Sequence, residues 1–375
     1  MDDYFNLGTH TMPITTPSAE AQLWFDRGLN WCYAFHHKEA QHCFEKALEF
    51  DPDCAMAYWG IAHANGPYYN VWWEELQEPL LTHVLTTTYQ NSRKALSLAD
   101  GVTPIERALI EAFTARFLKL EIDPEENFTL WDDAYANAMR QVYAQFPEND
   151  DVCALTAESL MNRTPWELWN LAEGAPAEGA DTLEAQTILE TAIQRGRDTG
   201  TKPHPALHHF YIHCMEMSPT PEKALPVADT LWHLVPDAGH LIHMPSHIYV
   251  LCGQYDKVIQ SNVDAVTADD KYLAIDSSPG LFHIYHSHNI HFQVYGALFS
   301  GQYQEALRAA LLVEERVTEE ALRIDIEFLA NFLESLYSAK AHVFVRFGKW
   351  EEIIAEPIPG DPTLYVMTTA IWHYA

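Results

Sequence analysis

Histidines recur at offsets of three, four and seven residues in three stretches of this chain. They are His209 and His213, then His240, His243 and His247, and finally His288 and His291. Such offsets place side chains on one face of an α-helix. Imidazole suits zinc, copper, iron and nickel, whereas magnesium and calcium prefer oxygen ligands. The pattern therefore predicts a transition-metal site wherever these helices are neighbours.

The charge of the chain excludes several classes of partner. Its formal net charge of −31 makes nucleic acid and anionic membranes unfavourable partners, because both are recognised through Lys and Arg. No apolar run approaches the roughly 20 residues that span a bilayer. The first residues, MDDYFNLGTHTMP, lack the basic flank and apolar core of a signal peptide. We therefore expect a cytoplasmic protein without a nucleic-acid or membrane partner.

Small residues and prolines repeat with a spacing that indicates helix pairs. In the stretch 21–52, Trp24 and Gly28 lie on a first predicted helix and Phe44 on a second, which Pro52 ends. This stretch resembles a tetratricopeptide repeat. The frame recurs from Pro205, from 239 and from 287, and the turns GQYDKV and GQYQEA lie 48 residues apart. Strand patterns are absent.

These repeats predict an all-α solenoid of tetratricopeptide-like helix-turn-helix units. We expect about eight helix pairs in a right-handed superhelix. An N-terminal arm over 1–17 precedes a single domain over 18–375, and a Pro- and Gly-rich loop insertion lies near 163–203. Oligomeric state stays open.

The resemblance to tetratricopeptide repeats implies which residues face the concave groove. In that family the second, fifth, ninth and twelfth positions of each repeat point inward. The implied ligands are His209, His213, Glu216, His240, His243, His247, His288 and His291. Pro245 breaks the backbone hydrogen-bond ladder within the second stretch, so we expect a kink that aims His243 and His247 at the groove.

Longer segments resemble a widespread group of bacterial tetratricopeptide-repeat proteins of poorly defined function. They are CAMAYWG (54–60), NRTPWELW (162–169), HPALHHFYIH (204–213), AGHLIHMPSHIY (238–249) and HNIHF (288–292). The resemblance implies the solenoid fold and a metal site at the same eight residues, without fixing a reaction. Additional histidines, such as His36 and His63, are not covered by it.

Structural explanations compete with these assignments. The inward histidines could form a hydrogen-bonded polar groove that binds no metal. His37 and His204 lie at helix starts, where capping is the simpler explanation. His63 faces inward near Trp59, and these two residues either line a substrate site or belong to the core. No nucleotide-binding or serine-hydrolase motif is present in the sequence.

The sequence favours a metal-dependent enzyme that acts on a small molecule in the groove. Eight candidate ligands suggest one or two ions, and copper or iron in oxygen-dependent oxidation is the first choice. The histidine-only sets resemble those of coupled dicopper and non-haem iron proteins. Glu216 is then a ligand or a base, and Tyr295 is placed to donate to substrate. The alternatives are a zinc hydrolase, a peptide-binding module without catalysis, and a metal carrier or sensor.

Overall fold

The computed structural model describes residues 4–122, 126–278 and 280–375, and it is all-α apart from one short hairpin. Two compact units divide the chain. The N-terminal unit is Leu7–Thr230, and the C-terminal unit is Leu231–Ala375 with the first residues of the chain through Asn6. The single domain over 18–375 stays a prediction. Among the described residues, no helix has both the length and the hydropathy needed to cross a bilayer.

The N-terminal unit is built from consecutive helices. They are α1 (Ala19–Tyr33), α2 (His37–Phe50), α3 (Ala55–Asn65), α4 (Leu80–Ser97), α5 (Pro104–Phe113), α6 (Thr129–Gln145), α7 (Asp150–Met161), α8 (Thr182–Thr199) and α9 (Pro205–Met215), followed by α10 (Leu225–Leu231). Short 3₁₀ turns occur at Trp73–Glu75, Ala99–Gly101 and Pro221–Ala224. The residues from 4 to 17 form no helix, and the Ser18 side chain caps α1. The N-terminal arm over 1–17, whose first three residues lie outside the described ones, stays a prediction.

The C-terminal unit continues the same helical pattern. Its helices are α11 (Gly239–His243), α12 (Pro245–Leu251), α13 (Tyr255–Leu273), α14 (Leu281–Ser300), α15 (Tyr303–Arg316), α16 (Glu319–Leu322), α17 (Glu327–Tyr337), α18 (Ala339–Arg346), α19 (Trp350–Ala355) and α20 (Val366–Tyr374). Small apolar side chains such as Ala306, Ala309 and Val313 fill the core between α14, α15 and α17. Close helix packing thus holds this unit together.

The two GQY segments form the same turn, as the sequence predicted. Gly253 and Gly301 have φ angles of 71° and 74°, in the left-handed region that glycine adopts without strain. The next backbone N–H, of Gln254 or Gln302, donates to a carbonyl of the preceding helix at 2.9 Å. Each turn therefore ends one helix and starts its partner.

Within the stretch 163–203, the sequence predicts a loop insertion before a helix that resumes at Thr182. The irregular segment runs over 162–181 and contains a two-stranded antiparallel hairpin, Trp169–Asn170 with Ala175–Pro176. From Thr182 onward the chain is helical, because α8 presents an apolar face that includes Ile188 and Leu189 to the core.

A buried aromatic ring sets the spacing of the first three helices. Phe44 of α2 is fully buried and lies against Gly28 of α1 and Gly60 of α3. A Cβ added at either glycine would come within 2.6 Å of the Phe44 ring. The small residues noted in the sequence are therefore required by close helix approach.

We expect Gly60→Ala to destabilise the protein by about 1–3 kcal/mol, because the Phe44 ring has no space to move. The matched control is Gly196→Ala in α8, where nothing lies within 4 Å of the new Cβ. This control should be stabilising by about 0.5–1 kcal/mol, since alanine favours helix. Urea unfolding followed by circular dichroism measures both. Equal effects of the two substitutions would contradict the packing explanation.

Candidate metal centre

Three histidines of the C-terminal unit converge on one point. His243 ends α11, His247 lies on α12 and His288 lies on α14, and one ligand atom from each lies within 4.8 Å of the others. The Nε2 atoms of His243 and His247 are 2.8 Å apart. Nitrogens that share one ion at about 2.0–2.1 Å lie roughly 3 Å apart, so His243 and His247 have the spacing of two ligands of one ion, and His288 lies close enough to be a candidate third.

Pro245 lies between the first two histidines of the cluster. α11 ends at His243, Met244 connects the two helices, and Pro245 is the first residue of α12. The missing N–H of Pro245 interrupts the hydrogen-bond ladder, as the sequence predicted. The rings of His243 and His247 meet at a centroid distance of 4.8 Å, and His288 approaches His243 at 4.7 Å.

A buried asparagine fixes the tautomer of His243. The Asn262 amide nitrogen donates to the carbonyl of Val258 at 2.7 Å, so its oxygen is the atom that faces His243. That oxygen is 2.6 Å from His243 Nδ1, which must therefore carry the proton. The lone pair of His243 is then on Nε2, toward His247. Metal-binding histidines are commonly oriented in this way by an acceptor on the other ring nitrogen.

One side of the three-histidine cluster is covered by the apolar ring of Phe292. Phe292 contacts the rings of His243, His247 and His288 at centroid distances of 4.7–4.9 Å. His243 is fully buried, while His247 and His288 are partly exposed. The cluster is thus anchored in the core and reachable from solvent.

Three other residues of this unit were predicted to belong to the site, namely His240, His291 and Tyr295. His240 is buried, and its ring is 6.1 Å from that of His243. Tyr295 is 38% exposed and packs on Phe299. Burial, together with a smaller effect of nearby His342, lowers the pKa of His291 to about 4. His291 is not among the histidines whose ligand atoms converge, so α14 supplies His288 to the cluster.

A second histidine pair lies in the N-terminal unit. His209 and His213, one turn apart on α9, are both buried, with ring centroids 4.7 Å apart. The Nδ1 atom of His209 donates to the Tyr33 carbonyl, and that of His213 to Glu216 Oε1, each at 2.7 Å. Both rings therefore carry the lone pair on Nε2. The bond to His213 favours an orienting role for Glu216 over the predicted ligand or base role.

A third group, in which His10, Asp151 and His204 meet, was not predicted from the sequence. Asp151 Oδ1 lies 3.0 Å from Nε2 of both histidines and accepts from the Tyr33 hydroxyl at 2.8 Å. His204 Nδ1 accepts from the backbone N–H of Leu207, as the predicted helix cap, so its proton is on Nε2, facing Asp151. That proton occupies the position a metal would need. We interpret the group as a latch that holds the arm to α7.

Sequence reasoning missed this latch because His10 lies in the arm, outside any helical periodicity. It also assigned the wrong cap to α2. The structure shows that His36 caps α2 by accepting from Glu39 N, whereas His37 Nδ1 donates to the Ala64 carbonyl. His63 and Trp59, predicted to bind substrate or to lie in the core, are buried and stack at 5.1 Å.

Comparisons with known proteins support the repeat. Residues 21–54 match the tetratricopeptide repeat family model, which confirms the repeat predicted from Trp24, Gly28 and Phe44. The crystal structure of PilW, described as a widely conserved type IV pilus biogenesis factor, is similar over 81% of this chain and 97% of that chain. The identity is 13% and the TM-score is 0.33. No curated protein matches the chain. The family match at residues 21–54, together with the helices described above, supports tetratricopeptide-like helical architecture.

We expect Asn262→Leu to weaken metal binding at the three-histidine cluster by about 10- to 100-fold, because His243 loses the acceptor that fixes its tautomer. Gln260→Leu, on the exposed side of the same helix, is the control and should leave affinity unchanged. Competition with a chromogenic chelator measures the affinity. Unchanged affinity in Asn262→Leu would show that this hydrogen bond does not serve the metal.

We expect Asp151→Asn to destabilise the protein by roughly 2–4 kcal/mol at pH 7. Burial alone would raise the pKa of Asp151, but His204 and His10 outweigh it and hold that pKa below its usual range. A carboxylate with a lowered folded pKa stabilises the protein above the unfolded pKa of about 4, and this stabilisation is lost as the pH falls further. The difference between wild type and variant should therefore shrink in acid.

The control for this variant is Asp150→Asn, which removes the partly exposed ion pair with Arg195. It should cost less than about 1 kcal/mol. Urea unfolding at pH 7 and at acidic pH measures both variants. A pH-independent difference for Asp151→Asn would argue against a charged latch.

Proposed function

We propose that this protein is a transition-metal-dependent enzyme acting on a small molecule, with His243, His247 and His288 as the metal ligands. The observation that supports this most directly is the convergence of three imidazoles within 4.8 Å, one of them held in the metal-binding tautomer by Asn262. A hydrogen-bonded groove without metal is the competing explanation, because an N–H of His247 Nε2 can donate to the lone pair of His243 Nε2 at 2.8 Å. Metal analysis distinguishes the two explanations.

Three protein ligands favour catalysis over a structural role. A structural site is usually closed by four ligands, whereas three leave room for water or substrate. The helices here are already held by packing around residues such as Phe44 and Val313, so a metal is not needed to fold them. The apolar face of Phe292 beside the ligands limits water at the site.

Among enzymes, oxygen-dependent oxidation by copper or iron is our first choice. Bound copper or iron would supply one-electron and oxygen chemistry. The three-histidine group contains no carboxylate. The carboxylate proposed as a general base for zinc hydrolysis, Glu216, is instead hydrogen-bonded to His213. Zinc remains the second candidate, because three histidines also suit a zinc hydroxide site.

A small molecule is the partner that this proposal requires. The net charge of −31 disfavours nucleic acid and anionic membranes, and it favours cation uptake. Peptide binding is the alternative that the repeat at 21–54 suggests, since repeats of this family have a groove. The histidine clusters distinguish the two, because a peptide clamp needs no convergent imidazole lone pairs. A cytoplasmic location stays part of the proposal.

We expect the purified protein to contain copper or iron in stoichiometric amount. His243→Ala with His247→Ala should remove this metal while helicity by circular dichroism stays near wild type, because the fold does not depend on it. His83→Ala, at an exposed histidine of α4, is the control and should keep the metal. Elemental analysis with an ultraviolet–visible spectrum measures the outcome. Metal content unchanged by the double variant would refute the ligand assignment.

Oxygen consumption tests the reaction class. The metal-loaded protein should consume oxygen when a reducing small-molecule substrate is present, and the double variant should not. A colourless protein with stoichiometric zinc and no oxygen uptake would instead support the hydrolase. Absence of any tightly bound metal after reconstitution would overturn both and favour the peptide-binding alternative.

A further inference from the structure

A group of buried polar atoms in the N-terminal unit has no hydrogen-bond partner among the described residues. The atoms are His37 Nε2, Trp59 Nε1, His63 Nδ1 and Asn162 Oδ1, and we call these four residues the His37–His63 cluster. Trp59, His63 and Asn162 are 1%, 3% and 7% exposed. Each unsatisfied buried polar atom costs about 1–3 kcal/mol. Such a concentration indicates that something outside the protein complements these atoms.

The hydrogen bonds around the cluster determine which atoms accept. His37 Nδ1 donates to the Ala64 carbonyl at 3.0 Å, so His37 Nε2 carries a lone pair. His63 Nε2 faces a carboxylate oxygen of Glu158 at 3.4 Å, so His63 Nδ1 carries a lone pair. Burial lowers the pKa of His37 to about 3, which keeps this ring neutral at pH 7.

Asn162 adds a third acceptor and Trp59 adds a donor. The Asn162 amide nitrogen faces Glu158 Oε1 at 3.5 Å, and a carboxylate can only accept, so the amide oxygen is the unpartnered atom. The indole Nε1 of Trp59 can only donate. The cluster therefore offers three acceptors and one donor to a ligand.

Aromatic rings pack closely around these atoms. Trp59 stacks on His63 at 5.1 Å with an interplanar angle of 17°, and His37 lies parallel to His63 at 6.4 Å. Phe113 approaches Trp59 and His63 at 5.7 and 5.8 Å. These flat apolar surfaces suit a small planar molecule better than a bulky one.

The charges near the cluster are already balanced. Burial raises the pKa of Glu158, but its hydrogen bond to His63 and the charge of Arg116 help to outweigh burial and keep that pKa below its ordinary value. Arg116 is itself buried and permanently charged. A charged ligand would add an uncompensated buried ion, which is costly. A neutral ligand avoids that penalty.

We propose that the His37–His63 cluster binds a small neutral carboxamide. A primary amide group is planar and carries two N–H donors for the imidazole and Asn162 acceptors, and one carbonyl oxygen for the Trp59 N–H. The site lies within one unit and uses no metal. It gives a chemical class to the substrate-binding role predicted for His63 and Trp59, and it stands whether or not the metal proposal holds.

Acetamide is the probe, titrated into the full-length, chelator-treated protein and followed by saturation-transfer difference NMR. We expect saturable binding. N,N-dimethylacetamide keeps the carbonyl but has no N–H donors, and it should bind at least about tenfold more weakly because the acceptors stay unpaired. Sodium acetate and ethylammonium chloride should also bind more weakly, since each adds a charge. Equal binding of acetamide and dimethylacetamide would overturn the proposal.

Two variants test the residues. Trp59→Phe removes the donor and keeps an aromatic ring, and His37→Phe removes one acceptor and keeps the ring beside Tyr68. Each should weaken acetamide binding by about five- to tenfold. His42→Gln, at an exposed position of α2, is the control and should bind acetamide normally. Absence of saturable binding to folded wild type, or unchanged binding in both variants, would show that only water occupies these positions.

Discussion

The direction of the imidazole lone pair is the physical constraint on which this structure depends. A neutral imidazole has one donor and one acceptor, so a partner on one nitrogen decides what the other can bind. The amide oxygen of Asn262, the Tyr33 carbonyl and the Glu216 carboxylate each accept from a histidine Nδ1. In each case the lone pair is left on Nε2. Three different acceptors thus give His243, His209 and His213 the same tautomer, with the proton on Nδ1.

The same rule separates metal-binding from structural histidines. His204 accepts a backbone N–H on Nδ1, so it turns a proton, and not a lone pair, toward Asp151. If only the distances between possible ligand atoms were considered, the His10–Asp151–His204 group and the three-histidine cluster would be equally good candidates for a metal site. Hydrogen-bond direction is why we propose a metal site for the three-histidine cluster and interpret the other group as holding the N-terminal arm. In the His37–His63 cluster, lone pairs without partners indicate a ligand that donates.

Packing between helices holds the fold together. Small residues at the contacts, such as Gly60 against Phe44 and Ala306 within the C-terminal core, let helices approach closely and bury apolar area. Packing of this kind stabilises the helices. The stretch around Pro245 lacks one backbone N–H, and His243 and His247, four residues apart across it, have their Nε2 atoms at 2.8 Å.

The sequence by itself determined the helical architecture, the repeated GQY turns, the break at Pro245 and the histidine-bearing helices, because each follows from local periodicity or backbone chemistry. Only the tertiary structure decided that His288 joins His243 and His247 while His291 lies near His342, and that Glu216 orients His213. It alone placed His10 beside Asp151 and left the buried Nε2 atom of His37 without a hydrogen-bond partner among the described residues. These outcomes depend on contacts between residues far apart in sequence, which helical spacing does not encode.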